Sequence, residues 1–298
     1  MASSSGIFDQ ARSAEQMYNA RALYYNDSWH PRFAADMVKW AAIQPSNKVL
    51  DLACGTGLVS LAAAAIIRTA AHTTRGHIIG VDIADDMLSI ARTSAISQNV
   101  TDIITFIRHD ITQLNTCSHN LVFPGSFDTI ISASSLPLLF DPKAAISHWT
   151  TYLKPGGRLV VDAITPESEI PGLLFEQSVE ACGAHVPWNR TWIQDMHSVT
   201  ELFEAAGLQI ESSFVVSNYR SAKGPYSSDD GEKVVESFLE GPSGIELRTR
   251  GVEFGERIKE EFLRRWEVRA KEGIVDEAEG FYIVVGTKPE LANDDGQV

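Results

Sequence analysis

The chain has 298 residues, a formal net charge of -14, 44% hydrophobic residues and three cysteines. That length and composition suit a globular protein with a sizeable core, and they exclude a disordered polymer, a collagen and a disulfide-stapled miniprotein. The acid excess, with no Lys/Arg cluster, argues against a nucleic-acid binder, whose affinity comes mainly from neutralising phosphates.

Residues 1–45 carry helical patterning and many aromatics (Tyr18, Tyr24, Tyr25, Trp29, Phe33 and Trp40). This pattern predicts a helical cap or lid seated on a core. Met1 to Gly6 lacks a basic start and an apolar run, so no signal peptide is expected. From residue 46 a rhythm of short β-branched runs and helical stretches begins. Strands are predicted at 49–53, 77–82, 103–108 and 127–133, with helices at 58–71, 84–95 and 141–152. Lys154-Pro155-Gly156-Gly157 reads as a tight turn into a fifth strand, 158–164. Apolar strands alternating with helices argue for a parallel sheet covered on both faces, so the fold class is α/β and doubly wound. Residues 46–165 form the expected core.

The pattern changes after Thr165. Residues 166–252 read as insertions beside a substrate pocket, with Pro166, Pro171, Gly172, Gly183 and Pro187 as punctuation and Trp188 and Trp192 as packing groups. This region also holds a helix at 199–206, a sixth strand at 208–216 and a short helix at 232–239. Phe254, Ile258, Phe262 and Trp266 recur every four residues, which marks one buried helix face. Residues 253–290 are assigned to the last helix and strand (281–287) of the core, and 291–298 to a disordered acidic tail. Cys54, Cys117 and Cys182 are widely spaced with no Cys-x-x-Cys pair, so neither a zinc site nor a disulfide framework is expected. The run 58–71 is too short to cross a bilayer and contains Arg68. A cytoplasmic protein without membrane or nucleic-acid partners is expected, and a homodimer stays open.

The sharpest feature is Asp51-Leu52-Ala53-Cys54-Gly55-Thr56-Gly57, a strand end running into a glycine turn and then a helix. Such glycines let backbone approach a ligand closely, at the strand ends where open α/β sheets bind ligands. Ser60 stands where a dinucleotide fingerprint has its third glycine, so the match to an NAD site is incomplete.

This segment resembles the first motif of the class I S-adenosylmethionine (SAM)-dependent methyltransferases. Four further segments agree in order: Val81-Asp82-Ile83 with Asp85 to Leu88, His109-Asp110-Ile111, Phe127 to Ile131, and Leu153 to Leu159. The layout is most similar to ubiquinone- and menaquinone-type and natural-product small-molecule methyltransferases. The resemblance implies a Rossmann-like seven-stranded sheet, mostly parallel with an antiparallel last strand, and SAM as cofactor. It implies that Asp82 accepts the two ribose hydroxyls and Asp110 the adenine amine, with Ile111 alongside. Ile83 and Met87 would sandwich the adenine. Gly55 and Gly57 would pass under the methionine portion, next to Ala53, with Asp51 and Tyr25 near its amino-acid end. Ala133 would face the cofactor by its backbone. Asp51 and Asp82 are more widely separated than is common, because residues 68–76 extend the first crossover, and a surface loop is expected there.

A methyl acceptor on O or C must lose a proton, so a base helps. Candidates are His185, His30, His148 and Asp162, and His185 is assigned the catalytic role because it lies in the aromatic insertion after the fifth strand. Ala133-Ser134-Ser135-Leu136-Pro137 is not the Asn/Asp-Pro-Pro-Tyr/Phe motif of amino-group methyltransferases. No Pro-Cys nucleophile and no metal cluster are evident. A small apolar or aromatic acceptor is expected. The rival readings are a non-methylating reaction on the same fold (cyclisation, elimination or decarboxylation), a binding-only relative and an NAD-dependent oxidoreductase.

Overall fold

The computed structural model describes residues 9–71, 73–219 and 225–290. Two helices open the chain, α1 (Gln10–Arg21) and α2 (His30–Trp40). The core then alternates β1 (Lys48–Leu52), α3 (Leu58–Ile67), β2 (His77–Asp82), α4 (Asp85–Ser97), β3 (Ile104–Arg108), β4 (Phe127–Ser132), α5 (Pro142–Thr150) and β5 (Leu153–Ile164). The rest comprises α6 (Ile170–Ala181), α7 (Met196–Ala205), β6 (Gln209–Val216), β7 (Tyr226–Ser227), α8 (Gly231–Glu240), α9 (Ile245–Arg248), α10 (Val252–Arg269), β8 (Ile274–Val275) and β9 (Phe281–Thr287).

Seven strands form one sheet in the order β3-β2-β1-β4-β5-β9-β6, while β7 and β8 pair as a small separate ribbon. The strands β1 to β5 run parallel, and β9 is antiparallel to both β5 and β6. This is the doubly wound, mostly parallel sheet expected from the motifs. The order reverses between β1 and β4, so right-handed crossovers put α3 and α4 on one face and α5 on the other. The strand interiors are apolar on both faces: Val49, Leu50, Ile79, Ile130 and Val160 are fully buried. Local signals fix the helix starts. Asp141 caps α5 ahead of Pro142, and Asp195 forms a capping box with Ser198 at α7.

Three expectations change. Lys154 to Gly157 lie inside β5, which begins at Leu153: Leu153 pairs with Phe127 and Arg158 with Thr129, so the four residues bulge from the ladder around Gly156 at φ +73°. Residues 170–181, read only as part of a Pro- and Gly-punctuated insertion, form α6. Its Pro171 stands in the first helical turn, where the missing N–H has no intrahelical partner to lose. The buried face of α10 does not pack on the sheet. Ile258, Phe262 and Trp266 join Phe175, Val179 and Val235 in a second apolar cluster, so α10 packs with α6 and α8 and not with the core to which residues 253–290 were assigned. The expected tail, 291–298, lies outside the described residues. Among those described, no helix is long and apolar enough to cross a membrane.

The N-terminal helices tie the two clusters together. Phe33, Met37 and Val38 of α2 belong to the sheet core. Helix α1 is fastened by Asn19, whose side chain accepts from Asp86 N–H at 3.0 Å, and by an ion pair between Glu15 and Arg108 at 2.6 Å.

Candidate functional site

Two loops at the carboxyl ends of adjacent strands shape the site. After β1, Ala53 and Gly55 take φ of +56° and +53°. After β4, Ser134 takes φ of +54°. Non-glycine residues rarely adopt this region, so both turns are held by their surroundings. Cys54 N–H donates to Val81 C=O at 3.1 Å, and Ser134 N–H donates to Asp162 Oδ1 at 2.6 Å.

Between these turns and α1 lies a cavity of about 570 Å³, a size typical of small-ligand sites. Its wall includes Tyr25, Ala53, Gly55 and Asp82. Ile83, Asp110, Ile111 and Ala133 also line it. The structure thus brings together eight of the sequence-predicted cofactor residues. Asp51 lines a small adjoining cavity of about 40 Å³, which also touches Tyr25, Ala53 and Gly55.

The two glycines divide their work. A Cβ on Gly55 would meet nothing within 4 Å, so this position keeps the wall open. A Cβ on Gly57 would lie 2.9 Å from Phe106 Cζ and 3.0 Å from Ala91 Cβ. Gly57, at φ +82°, therefore permits close packing of α3 and lines neither cavity. Met87 is likewise displaced from its expected role. It is buried against Ala22 and Ala84 beneath Tyr18 and Tyr25, and it lines neither cavity. Helix packing is its observed place.

Asp82 closes β2 with both oxygens engaged: Oδ2 accepts Gly55 N–H at 2.8 Å and Oδ1 accepts Ala84 N–H at 2.8 Å. A carboxylate has about four acceptor positions, so acceptor capacity remains for a ligand hydroxyl. Burial raises the Asp82 carboxyl, offset in part by those N–H bonds. Asp110 caps a short 3-10 turn, its Oδ1 accepting Thr112 N–H and Oγ–H, each at 2.8 Å. Asp51 is pushed up to about 7 by burial, although Ser60 donates to its Oδ2 at 2.6 Å.

A larger cleft of about 1200 Å³ adjoins the first cavity. The two share Tyr18, Ser134 and Leu138, and Ser134 lines all three cavities. The cleft walls carry Trp29, His30, Trp188, Tyr219, Phe238 and Phe281. They come from the N-terminal segment, from the region after β5 and from the sheet edge. Asp162 faces this cleft from β5 and is pushed up to about 7 by burial. His30 lines it too, stacked on Trp29 with ring centroids 4.0 Å apart.

His185 is exposed and lines neither the cleft nor the cofactor cavity. Its neighbours Ala184 and Val186 turn into the second apolar cluster, which directs the intervening side chain outward. The geometry offers no support for the catalytic role assigned to it. His148 is also remote, packed edge-on against Tyr152. Tyr18 is marked in the sequence as an aromatic of the N-terminal lid, and Ser60 by its place in the incomplete fingerprint; Ser134 and Tyr219 are assigned no role from the sequence.

Residues 43–207 match the family model described as a methyltransferase domain, which is more than half of the chain. The chain belongs to that family. The resemblance to the methyltransferases is therefore borne out, and the expected fold with it. A ubiquinone/menaquinone biosynthesis C-methyltransferase of Marinomonas sp. (strain MWYL1) is 26% identical over 178 residues, covering 57% of this chain and 66% of that one. The chain spans between 51% and 66% of the length of the first curated relatives that it matches. The phosphoethanolamine N-methyltransferase 2 of Haemonchus contortus, solved with phosphomonomethylethanolamine and S-adenosylhomocysteine, shares the fold at TM-score 0.53. It is 13% identical, with 95% of this chain and 61% of that one covered. The [4+2]-cyclase SpnF also shares the fold, at TM-score 0.52 and 19% identity, with 88% and 81% covered.

The residues of the first cavity suit SAM. Asp82 offers acceptors for a ribose diol, and Ile83, Ile111 and Ala133 offer an apolar slot. Asp51 sits beside the small cavity as a partner for an ammonium group.

Proposed function

We propose that this chain is a SAM-dependent methyltransferase acting on a small acceptor that carries an aromatic ring, held in the 1200 Å³ cleft. The observation that carries the reading is the position of Ser134, which lines the cofactor cavity and the cleft at once. Donor and acceptor spaces meet there, so two reactants can be brought into line. When bound, SAM supplies a methyl group already activated by its sulfonium. The protein's own tasks are to hold the donor through Asp82, Asp51 and Tyr25, and to stack the acceptor among Trp29, Trp188 and Phe238. The name of the Marinomonas relative supports carbon as the atom methylated.

Of the four groups raised as proton acceptors, His30 and Asp162 line the cleft. These two are placed to take a proton that the acceptor loses. Incubation with methyl-labelled SAM and reduced 1,4-dihydroxynaphthalene, chosen as a hydroxylated aromatic carbon acid, tests the reading. A product heavier by one labelled methyl, with S-adenosylhomocysteine released, supports it. An altered product of unchanged mass with SAM intact would instead favour the cyclase-type reading, which the same fold accommodates in SpnF.

A further inference from the structure

Asp162 is a buried carboxylate facing the cleft, only 2% exposed. Its Oδ1 accepts Ser134 N–H at 2.6 Å, and among the described residues it forms no ion pair. Removing a carboxylate from water is costly unless a cation or several hydrogen bonds compensate, and the backbone N–H groups of Ser134 and of Asp162 itself supply only part of that. The phenols of Tyr18 and Tyr25 at the junction are raised chiefly by burial, with Asp162 among the acids that add to it. The bond also pins Ser134 at φ +54°, the turn where all three cavities meet. A group reaching from the cofactor cavity into the cleft passes beside this Asp162–Ser134 pair.

We propose that Asp162 distinguishes the sulfonium of SAM from the neutral thioether of S-adenosylhomocysteine, presenting its carboxylate beside the junction through which the methyl group faces the cleft. This rests on the methyltransferase reading above. The donor brings the cation that the buried carboxylate lacks, and the spent product does not. The product is therefore held less tightly than the donor. Opposite charges at close range shift a carboxyl by roughly one to three pKa units, and by linkage the ionised carboxylate strengthens SAM binding by the same factor, about tenfold or more.

Isothermal titration of the full chain with SAM and with S-adenosylhomocysteine tests this. Wild type is expected to prefer SAM by about tenfold or more. Asp162→Asn keeps an acceptor for Ser134 N–H and removes the charge. It should hold S-adenosylhomocysteine within about threefold of wild type while losing most of the preference for SAM. An unchanged preference in Asp162→Asn overturns the proposal. Binding of neither ligand by wild type overturns it together with the methyltransferase reading, so the two failures are distinguishable.

If Asp162→Asn does not fold, the wild-type preference at about pH 5.5 and about pH 8 decides. It should grow with pH as Asp162 ionises, and a flat ratio contradicts the proposal. Asp162 acts on Tyr18 and Tyr25. The other charged or titratable groups lining its cleft are Arg21, Asp27 and His30 from the N-terminal segment, Glu169 and Arg190 from beyond β5, and Tyr219, Tyr226, Glu277 and Glu279 from further along the chain. His30→Gln measured in parallel removes the histidine's contribution. Asp51 affects both ligands alike, since both carry the same amino-acid end.

Discussion

Ser60 donates its hydroxyl to Asp51 Oδ2 at 2.6 Å, nine positions apart in the chain and both buried. The serine that spoils a dinucleotide fingerprint thus steadies the acid of the methyltransferase motif. Removing it leaves a buried carboxylate short of a partner. Ser60→Ala should cost about 1–3 kcal/mol in urea unfolding and weaken SAM binding several-fold. A variant indistinguishable from wild type in both would show that this bond supports neither the fold nor the site.

The two motif glycines should fail in different ways. Gly57→Ala drives a Cβ to 2.9 Å from Phe106 at φ +82° and should lower the melting temperature markedly. Gly55→Ala meets no atom within 4 Å. It should cost only the backbone strain of about 1–2 kcal/mol while placing a methyl in the cofactor cavity. Thermal melts with and without SAM separate the two, because only Gly55→Ala should lose ligand stabilisation out of proportion to its stability.

Burial pushes Asp51, Asp162 and Glu176 up to about 7, against about 4 in an unfolded chain. Between those values the folded protein holds more protons than the unfolded one, so stability falls as pH rises. Their contribution is complete below about pH 4 and is lost as pH climbs through about 7. Urea unfolding without ligand should therefore show a downward slope from about pH 5.5 to about pH 8, made shallower by Asp162→Asn. An identical slope in that variant would exclude Asp162 as a source.

The cofactor half of the site was legible because its determinants are local. The strand His77–Asp82 and the last strand Phe281–Thr287 stand where the pattern puts them, and Asp82 and Gly55 follow directly from their strand ends. Residues whose role depends on distant packing were not legible. Met87 and Gly57 look like ligand contacts in the motif, but Tyr18 and Phe106 cover them. Helix α6 was hidden by its own Pro171 and Gly172, residues that read as loop punctuation yet are tolerated in a first helical turn. A substrate pocket beside the N-terminal and post-β5 segments was legible, but not its junction with the cofactor cavity, because Ser134, Asp162, Tyr219 and Phe281 are far apart in sequence and meet only after the sheet forms. His185 failed for the same reason, since its aromatic neighbourhood packs inward and leaves it at the surface.

The central claim is that the cavity beside Asp82 holds SAM. Calorimetric titration of wild type and Asp82→Ala tests it most directly. Wild type should bind SAM at one site, and Asp82→Ala, still folded by circular dichroism, should bind about a hundredfold more weakly, the loss of two hydrogen bonds to a charged group. A folded wild type that takes up no SAM, or an Asp82→Ala variant that binds as tightly as wild type, would contradict the account.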